Sequence, residues 1–182
     1  ALTASWESGG NGPGTRYDAR LSSDAFVTIV QVSTEPQGAP SAGFTGLAAN
    51  TTYFLEVRAG GRRGELTSFV SLGSTVTQAN PPAAFTTTFA GVTTGSLTGL
   101  WSHNGNALGT RFVARLSSSP VDAFAAGAAV VSTEPWTVPP AAGFGGLAAN
   151  ATHYLWVAAQ NRSGAVGTFV LLGSTATLVL PV

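Results

Sequence analysis

The sequence predicts an all-β chain made of two similar sandwich domains in tandem. Apolar and polar residues alternate along most segments, turn residues recur roughly every 8–12 positions, and the 3.6-residue period of an amphipathic helix is missing. The sequence also repeats itself, because Trp6 and Trp101 open two copies of one unit about 95 residues apart. A chain of 182 residues therefore suits two sandwich modules of roughly 100 residues each.

Identical strings align the two copies and reveal a difference between their ends. The matching ranges are 14–16 with 109–111, 19–23 with 114–118, 32–36 with 131–135, 46–50 with 146–150, and 72–75 with 172–175. Only the second copy has a full lead-in, residues 82–95, whereas the first begins abruptly at Ala1. These limits predict a first domain over 1–78 without its first strand, a linker over 79–82, and a complete domain over 83–182.

Alternation places the strands of both copies. In the first copy the predicted strands are 2–7, 16–21, 27–33, 43–47, 52–59 and 66–77. In the second copy they are 84–92, 96–102, 111–116, 128–132, 143–147, 152–159 and 167–177. Phe85 and Phe89 are the apolar anchors of the additional first strand. Turns are predicted at Asn-Gly 11–12 and 104–105 and at Gly-Gly 60–61, because a positive φ costs little there.

These residues resemble the fibronectin type III family. That family carries a Trp on its strand B, an aromatic residue on strand C, and a Leu-x-x-x-Thr-x-Tyr run leading into strand F. The first copy supplies Trp6, Tyr17, and Leu47 with Thr51 and Tyr53. The matching residues of the second copy are Trp101, Phe112, Leu147 and His153.

The resemblance implies a fold and a range of uses. The fold is a Greek-key β-sandwich of seven strands, similar to immunoglobulin-like domains, and the modules serve as extracellular spacers, adhesion domains or interaction domains. His153 stands where the family has Tyr at the corner before strand F, and an imidazole there can still donate one hydrogen bond.

Composition excludes several classes of function. Charged residues make up 9% of the chain, far below the usual value of about 25%, and the net charge is zero. Lys is absent, so nucleic acid finds no basic stripe, and neutrality favours association. The absence of Cys removes disulfides and thiolate metal sites. Residues 163–182 carry no charge, but Gly, Ser and Thr interrupt them, so we expect no membrane span. The absence of Met indicates a processed chain or an excised segment.

Candidate catalytic residues are sparse. His103 and His153 are the two side chains suited to a general base or a metal ligand, and neither has a carboxylate partner at ligand spacing. We expect His103 to lie in solvent and His153 to lie in the core or at the corner. The acidic residues are scattered, without a cluster for Ca²⁺ or for paired acid–base catalysis. The sequence therefore predicts a protein that is not an enzyme and has no cofactor.

Three Asn residues match the N-glycosylation pattern, Asn50, Asn150 and Asn161. For Asn50 and Asn150 a conformational role competes with glycosylation. Both occupy the tight turn before a predicted strand, and Asn tolerates the left-handed backbone needed there.

An aromatic and arginine patch distinguishes the second copy. Tyr154, Trp156, Val113 and Arg115 are predicted on the outward face of neighbouring strands, and Trp136 lies in a loop that can fold over them. Such a patch is a typical contact surface for protein or for sugar rings. Alternatively, Trp156 packs on the Arg stems and covers its own sheet.

The first copy lacks the strand that carries Phe85 and Phe89 in the second. Burying each ring is worth roughly 1.5–3 kcal/mol, against a total stability of about 5–15 kcal/mol. The open edge is predicted at Leu2, Ala4 and Trp6, and an open edge recruits another chain.

The carboxyl-terminal tail offers a strand for that edge. Residues 78–80 of the linker are polar, whereas the matching residues of the second copy are apolar. The predicted donor strand consists of Leu178, Val179, Leu180 and Val182. The first hypothesis is therefore a secreted or cell-surface structural subunit that polymerises with itself, head to tail, by strand donation. The second is a carbohydrate-binding or protein-binding tandem module of a larger surface protein or secreted enzyme.

Overall fold

The computed structural model describes residues 1–35, 40–124, 129–132 and 139–182. They divide into two compact units, unit 1 (Ala1–Thr77) and unit 2 (Gln78–Val182). The strands of unit 1 are β1 (Leu2–Ser5), β2 (Arg16–Ser22), β3 (Gln31–Glu35), β4 (Ser41–Phe44), β5 (Thr52–Gly60) and β6 (Val70–Val76). The strands of unit 2 are β7 (Ala83–Ala90), β8 (Ser96–Ser102), β9 (Arg111–Ser117), β10 (Ala129–Ser132), β11 (Ala141–Gly145), β12 (Thr152–Gln160) and β13 (Val170–Ala176).

The described residues of each unit form two antiparallel sheets, and the predicted all-β fold class is confirmed. In unit 2 the strand orders are β11-β8-β7 and β10-β9-β12-β13. In unit 1 they are β1-β4 and β3-β2-β5-β6. The larger sheets match strand for strand, while the smaller sheet of unit 1 lacks a counterpart of β7 among the described residues 1–35 and 40–77.

An aromatic pair lies at the centre of each core. The Trp6 and Tyr17 rings meet edge to face at 5.7 Å between centroids, and the Trp101 and Phe112 rings do so at 5.8 Å. Inward side chains of the facing strands, such as Leu155, surround the pair in unit 2. The alternation seen in the sequence is therefore the alternation of core and surface along each strand.

Both units close the corner before β5 and β12 in the same way. Thr77 Oγ1 donates to Ala48 O at 2.7 Å, and Thr177 Oγ1 donates to Ala148 O at 2.6 Å. The turn residues Asn50 and Asn150 have φ of 48° and 53°, which confirms the predicted left-handed backbone.

The predicted strand 27–33 begins later, at Gln31, because a tight turn precedes it. Ala25 and Phe26 have φ of 55° and 69°, a region that no strand residue adopts. Asp24 holds this turn through hydrogen bonds from the Ser22 and Thr28 side chains and the Thr28 amide, which lower the pKa of its carboxyl to about 2.

Two predicted turns also differ from the structure. The positive φ values in the first copy fall at Gly9 and Gly10, at 64° and 78°, two residues before the predicted Asn-Gly at 11–12. The predicted turn at 60–61 is displaced as well, since Gly60 ends β5 and the positive φ lies at Gly64, at 88°.

Candidate functional site: an open groove in unit 1

Strand β1 has one hydrogen-bonded neighbour, β4, within the described part of unit 1. Trp6 N donates to Pro40 O at 2.9 Å on the β4 side. Because bonded and non-bonded positions alternate in an antiparallel pair, the main-chain groups of Thr3 and Ser5 face the opposite edge. This edge can therefore accept a further extended segment.

In unit 2 the corresponding edge is covered by β7. Ala84 lies opposite Trp101, and Phe89 lies opposite Gly99. Phe89 packs against the core of unit 2, as predicted for an anchor. Phe85, the other predicted anchor, is instead 40% exposed and lines a shallow pocket together with Trp101.

The effect of that cover is visible in the burial of equivalent side chains. Trp101 is 0% exposed, whereas Trp6 is only half-buried. Leu172 is buried and Leu72 half-buried, while Val70 is 63% exposed. Unit 1 thus leaves part of its apolar interior accessible to solvent.

These side chains line a groove of about 530 Å³, called the open groove below. Its apolar residues are Trp6, Tyr17, Val57, Ala59, Val70 and Leu72. Its polar rim consists of Glu7, Ser8, Gly9, Asn11, Arg58, Thr67 and Ser68. Because the lining is mostly apolar and the rim carries few charges, the groove suits an uncharged extended segment.

The predicted acceptor residues lie together on and just after β1. Leu2, Ala4 and Trp6 are half-buried and pack against the core of unit 1, alternating with exposed Thr3 and Ser5. Trp6 also lines the open groove. Sequence reasoning missed the β6 side of the groove, although comparing the two copies would have indicated Val70 and Leu72 as residues left without a cover.

The predicted donor segment is not a strand in the described structure. Leu178 N donates to Thr93 O at 2.9 Å, and Leu178 O accepts from Asn150 N at 3.1 Å, so Leu178 is attached to its own unit. Val179 and Leu180 are 64% and 67% exposed, and Val182 is exposed as well. Any donated segment therefore begins at Val179.

Residues of unit 2 itself cover part of the predicted contact patch. Trp156 is half-buried, lies opposite Arg115 on β9, and donates through Nε1 to Ser119 O at 3.2 Å. Tyr154 and Val113 are half-buried on the same sheet. Trp136 lies outside the described residues.

A stacking arrangement that the sequence analysis missed covers this sheet in both units. The Arg115 guanidinium lies 4.2 Å from the Phe124 ring centroid and 5.3 Å from that of Phe169. In unit 1, Arg20 lies 3.8 Å from the Phe69 ring centroid and pairs with Glu56 at 2.6 Å. The repeat of Ala-Phe at 25–26 and 123–124 was the available signal.

The side chains of two of the three glycosylation candidates are buried. Asn50 is fully buried, and Asn161 is buried with its Oδ1 accepting from Ser163 N and Ala165 N. A glycan at either position would have to draw the Asn out of its turn. Asn150 is exposed.

The titratable side chains form no catalytic arrangement within the part of the chain that the structure describes. No three His, Cys, Asp or Glu residues there lie close enough to hold a metal ion. His103, predicted in solvent, is half-buried with both ring nitrogens covered, and it packs edge to face on Phe112 at 5.6 Å. Burial lowers the pKa of His153 below its usual range. No helix of the described residues is long and apolar enough to cross a membrane.

Solved structures of tandem fibronectin type III domains match this chain. A two-domain segment of chicken tenascin is 15% identical, covers 89% of this chain and 84% of its own length, and superposes with a TM-score of 0.57. This chain has the tandem fibronectin type III fold. The FN1–FN3 domains of chicken CNTN1 are 14% identical over 92% of this chain, with a TM-score of 0.43, and the chain spans 57% of their length. No family model and no curated protein matches.

Comparison with the fibronectin type III fold identifies the strand position to which the open groove corresponds. Strands β1 and β8 are strand B of the fold, and β7 is strand A. The groove lies where strand A covers unit 2, and the described residues 1–35 and 40–77 provide no such strand to unit 1.

Proposed function

We propose that this chain is a structural component of an extracellular assembly in which copies join head to tail. The carboxyl-terminal segment of one copy occupies the open groove in unit 1 of the next. The observation that carries the proposal is the half-exposed apolar lining of unit 1 at Trp6, Val70 and Leu72, together with the exposed apolar residues 179–182 of unit 2, whose side chains carry no charge.

The physical chemistry of the two surfaces is complementary. Both bury apolar area on contact, and each fully covered Val or Leu side chain contributes roughly 1.5–3 kcal/mol. Ordering the tail costs about 1–2 kcal/mol per residue in backbone entropy. The segment from Val179 to Val182 is short, so a single junction is expected to be weak and assembly to depend strongly on concentration. Zero net charge removes long-range repulsion between copies.

Truncation after Leu178 tests this proposal. The shortened chain retains the Leu178 hydrogen bonds to unit 2 and loses only the exposed residues that follow. Sedimentation velocity over a range of concentrations should show larger species for the full chain and a monomer for the truncated one. The matched control is Leu108→Ser, which removes an exposed apolar side chain outside both surfaces and should assemble normally. A full chain that stays monomeric, or a truncated chain that still assembles, would show the proposal to be wrong.

A second candidate function is a binding module for protein or carbohydrate. Phe124 favours it, because this ring is 63% exposed while stacked on Arg115 beside Trp156. Exposed aromatic rings held rigidly against a sheet are suited to contact a partner or a sugar ring. Loss of glycan or protein binding in Phe124→Ala, with assembly unchanged, would support this function over the first.

A further inference from the structure

Unit 2 holds the main chain of its own leading segment through one side chain, Asn106. Its Oδ1 accepts from Asn80 N at 2.7 Å, and its Nδ2 donates to Asn80 O at 2.9 Å. The same Nδ2 donates to His103 O at 2.7 Å, which fixes the amide within its turn. Asn106 is buried and binds both main-chain groups of one residue, whatever the side chain of that residue is.

This contact also positions the neighbouring residues of the segment. Ala79 packs against the core of unit 2. Two further hydrogen bonds support the segment, from Asn80 Nδ2 to Asn104 O at 3.0 Å and from Asn104 Nδ2 to Pro81 O at 2.8 Å. The turn 103–106 is called the clasp below.

Unit 1 contains the same clasp at residues 8–11. Asn11 Nδ2 donates to Ser8 O at 2.7 Å, as Asn106 does to His103 O. Gly9 and Gly10 adopt the positive φ found at Asn104 and its neighbour Gly105. However, Asn11 is exposed, and within the described part of the chain its side chain bonds to Ser8 alone. It lies on the rim of the open groove.

The carboxyl-terminal tail is the repeat counterpart of the segment that the unit 2 clasp holds. Thr77 and Thr177 make the same corner hydrogen bonds, so the two segments leave their sandwiches from equivalent positions. Val179 then corresponds to Ala79, Leu180 to Asn80, and a Pro follows in both.

We infer that Asn11 binds the main chain of Leu180 from a second copy of this chain and thereby places Val179 in the open groove. The inference rests on the proposed function and specifies its contact. It sets the junction at the Trp6 and Asn11 end of the groove rather than along Leu2 and Ala4.

The substitutions between the two clasps agree with this assignment. Gly9 and Leu180 lack the amide side chains of Asn104 and Asn80, so the two supporting bonds cannot form and only the two Asn11 bonds remain. In exchange, Ala79 is replaced by the larger apolar Val179, which suits a groove that no strand A covers. The contact between copies therefore relies on apolar contact and on Asn11, and it has two hydrogen bonds where residues 80–81 make four within unit 2.

Peptide binding tests the inference separately from assembly. The acceptor is the chain truncated after Leu178, and the probe is an acetylated peptide of residues 176–182. Its binding is followed by NMR through the backbone amides of the groove residues, which every variant retains, and in the parent also through the Asn11 side-chain NH₂. We expect Asn11→Ala to weaken binding at least about tenfold, since two hydrogen bonds to a main chain are lost. Asn11→Asp retains the acceptor oxygen but not the donor, and its effect should be intermediate. Gln31→Ala, which removes an amide bonded to Thr45 O outside the groove, should bind as well as the parent.

A modified peptide gives the second measurement. Replacing the Leu180 amide by an ester removes its N–H and should weaken binding at least about fivefold, whereas the same change at Val182 should have little effect. Equal binding to the parent and to Asn11→Ala, or no binding at all, would overturn the inference. If the full chain nevertheless assembles through its tail, the proposed function stands without the clasp; if it never assembles, the proposed function fails irrespective of the peptide.

Discussion

His153 shows how one substitution changes the corner of a sandwich. In unit 1, Tyr53 Oη accepts a hydrogen bond from Ala48 N at 3.0 Å. In unit 2, His153 Nε2 is buried and makes no hydrogen bond within the described residues. A buried polar atom without a partner costs free energy, and burial also disfavours the imidazolium form.

The lowered pKa of His153 predicts a pH dependence of stability. An unfolded His titrates near its usual value of 6.5, whereas in the folded protein the pKa lies lower. The unfolded chain therefore binds more protons in this window, and the free energy of unfolding falls as the pH drops from about 6.5 through the folded pKa. His153→Tyr should remove this fall and, by restoring the bond to Ala148 N, stabilise unit 2 by about 1 kcal/mol.

Urea unfolding of unit 2 between pH 4.5 and 8 measures both effects. The control is His103→Gln, which changes the other imidazole and leaves the corner intact. If the free energy of unfolding of His153→Tyr depended on pH as it does in the parent, His153 would not be the group responsible. The titration of Asp24 affects stability in a different pH range. Its carboxyl contributes stability above its usual pKa of 3.8, and this contribution is lost as the pH falls to the folded pKa of about 2.

Among the elements, β8 and β3 show what the sequence can and cannot predict. The predicted strand 96–102 coincides with β8, because its alternation runs undisturbed between two turns. The late start of β3 depends on positive φ values at Ala25 and Phe26, which no propensity indicates for these residue types. They are imposed by hydrogen bonds that Ser22 Oγ and Asp24 Oδ1 accept from the Phe26 and Thr28 amides.

The turn before β3 supplies a prediction with an internal control. Ala25 adopts a left-handed backbone that is strained for an L-residue and unstrained for Gly. Ala25→Gly should therefore stabilise unit 1 by about 0.5–1 kcal/mol, once the greater entropy that Gly gives the unfolded chain is subtracted. The equivalent Ala123 is buried and has no positive φ, so Ala123→Gly should destabilise unit 2 by roughly 1 kcal/mol. Thermal unfolding followed separately in each unit checks the signs; equal effects would contradict the strain at Ala25.

The candidate site was predictable only in part. Comparing the copies indicated the edge at Leu2, Ala4 and Trp6, since the missing strand is visible in the alignment. Asn11 carries no such signal, because an exposed Asn after Gly-Gly is typical of any turn. The role proposed for Asn11 is inferred from the hydrogen bonds that Asn106 makes to Asn80, which only the fold reveals.

For the whole molecule, the main consequence is that its two units are unequal. Unit 2 covers Trp101 and Leu172 with β7, while unit 1 leaves Trp6 and Leu72 half-buried. Because apolar burial dominates folding free energy, unit 1 should unfold first in urea. In the proposed assembly the same deficit drives association, so the stability of unit 1 should rise when copies associate.

Supplying unit 1 with its own strand A tests that coupling. A variant with residues 78–95 grafted before Ala1 should cover the open groove. Ala79 and Asn80 of the graft would lie at its Asn11 end, as they lie at Asn106 in unit 2, and the anchor Phe89 would lie opposite Ala4 as it lies opposite Gly99. Phe89 is half-buried in unit 2, so the same burial should stabilise unit 1 by about 1–2 kcal/mol, with the urea midpoint of its transition rising towards that of unit 2.

The grafted variant should also assemble less, because its edge is already paired. The matched control carries the same graft with Ala79, Phe85 and Phe89 replaced by Ser, which adds equal length without the apolar contacts and should leave both unit 1 stability and assembly near those of the parent. Sedimentation velocity and urea unfolding of the three chains give the result. If the Phe graft stabilised unit 1 while assembly persisted, the association would have to use a surface other than the open groove. If the Phe graft did not stabilise unit 1, the open groove would not be the position that strand A occupies in unit 2.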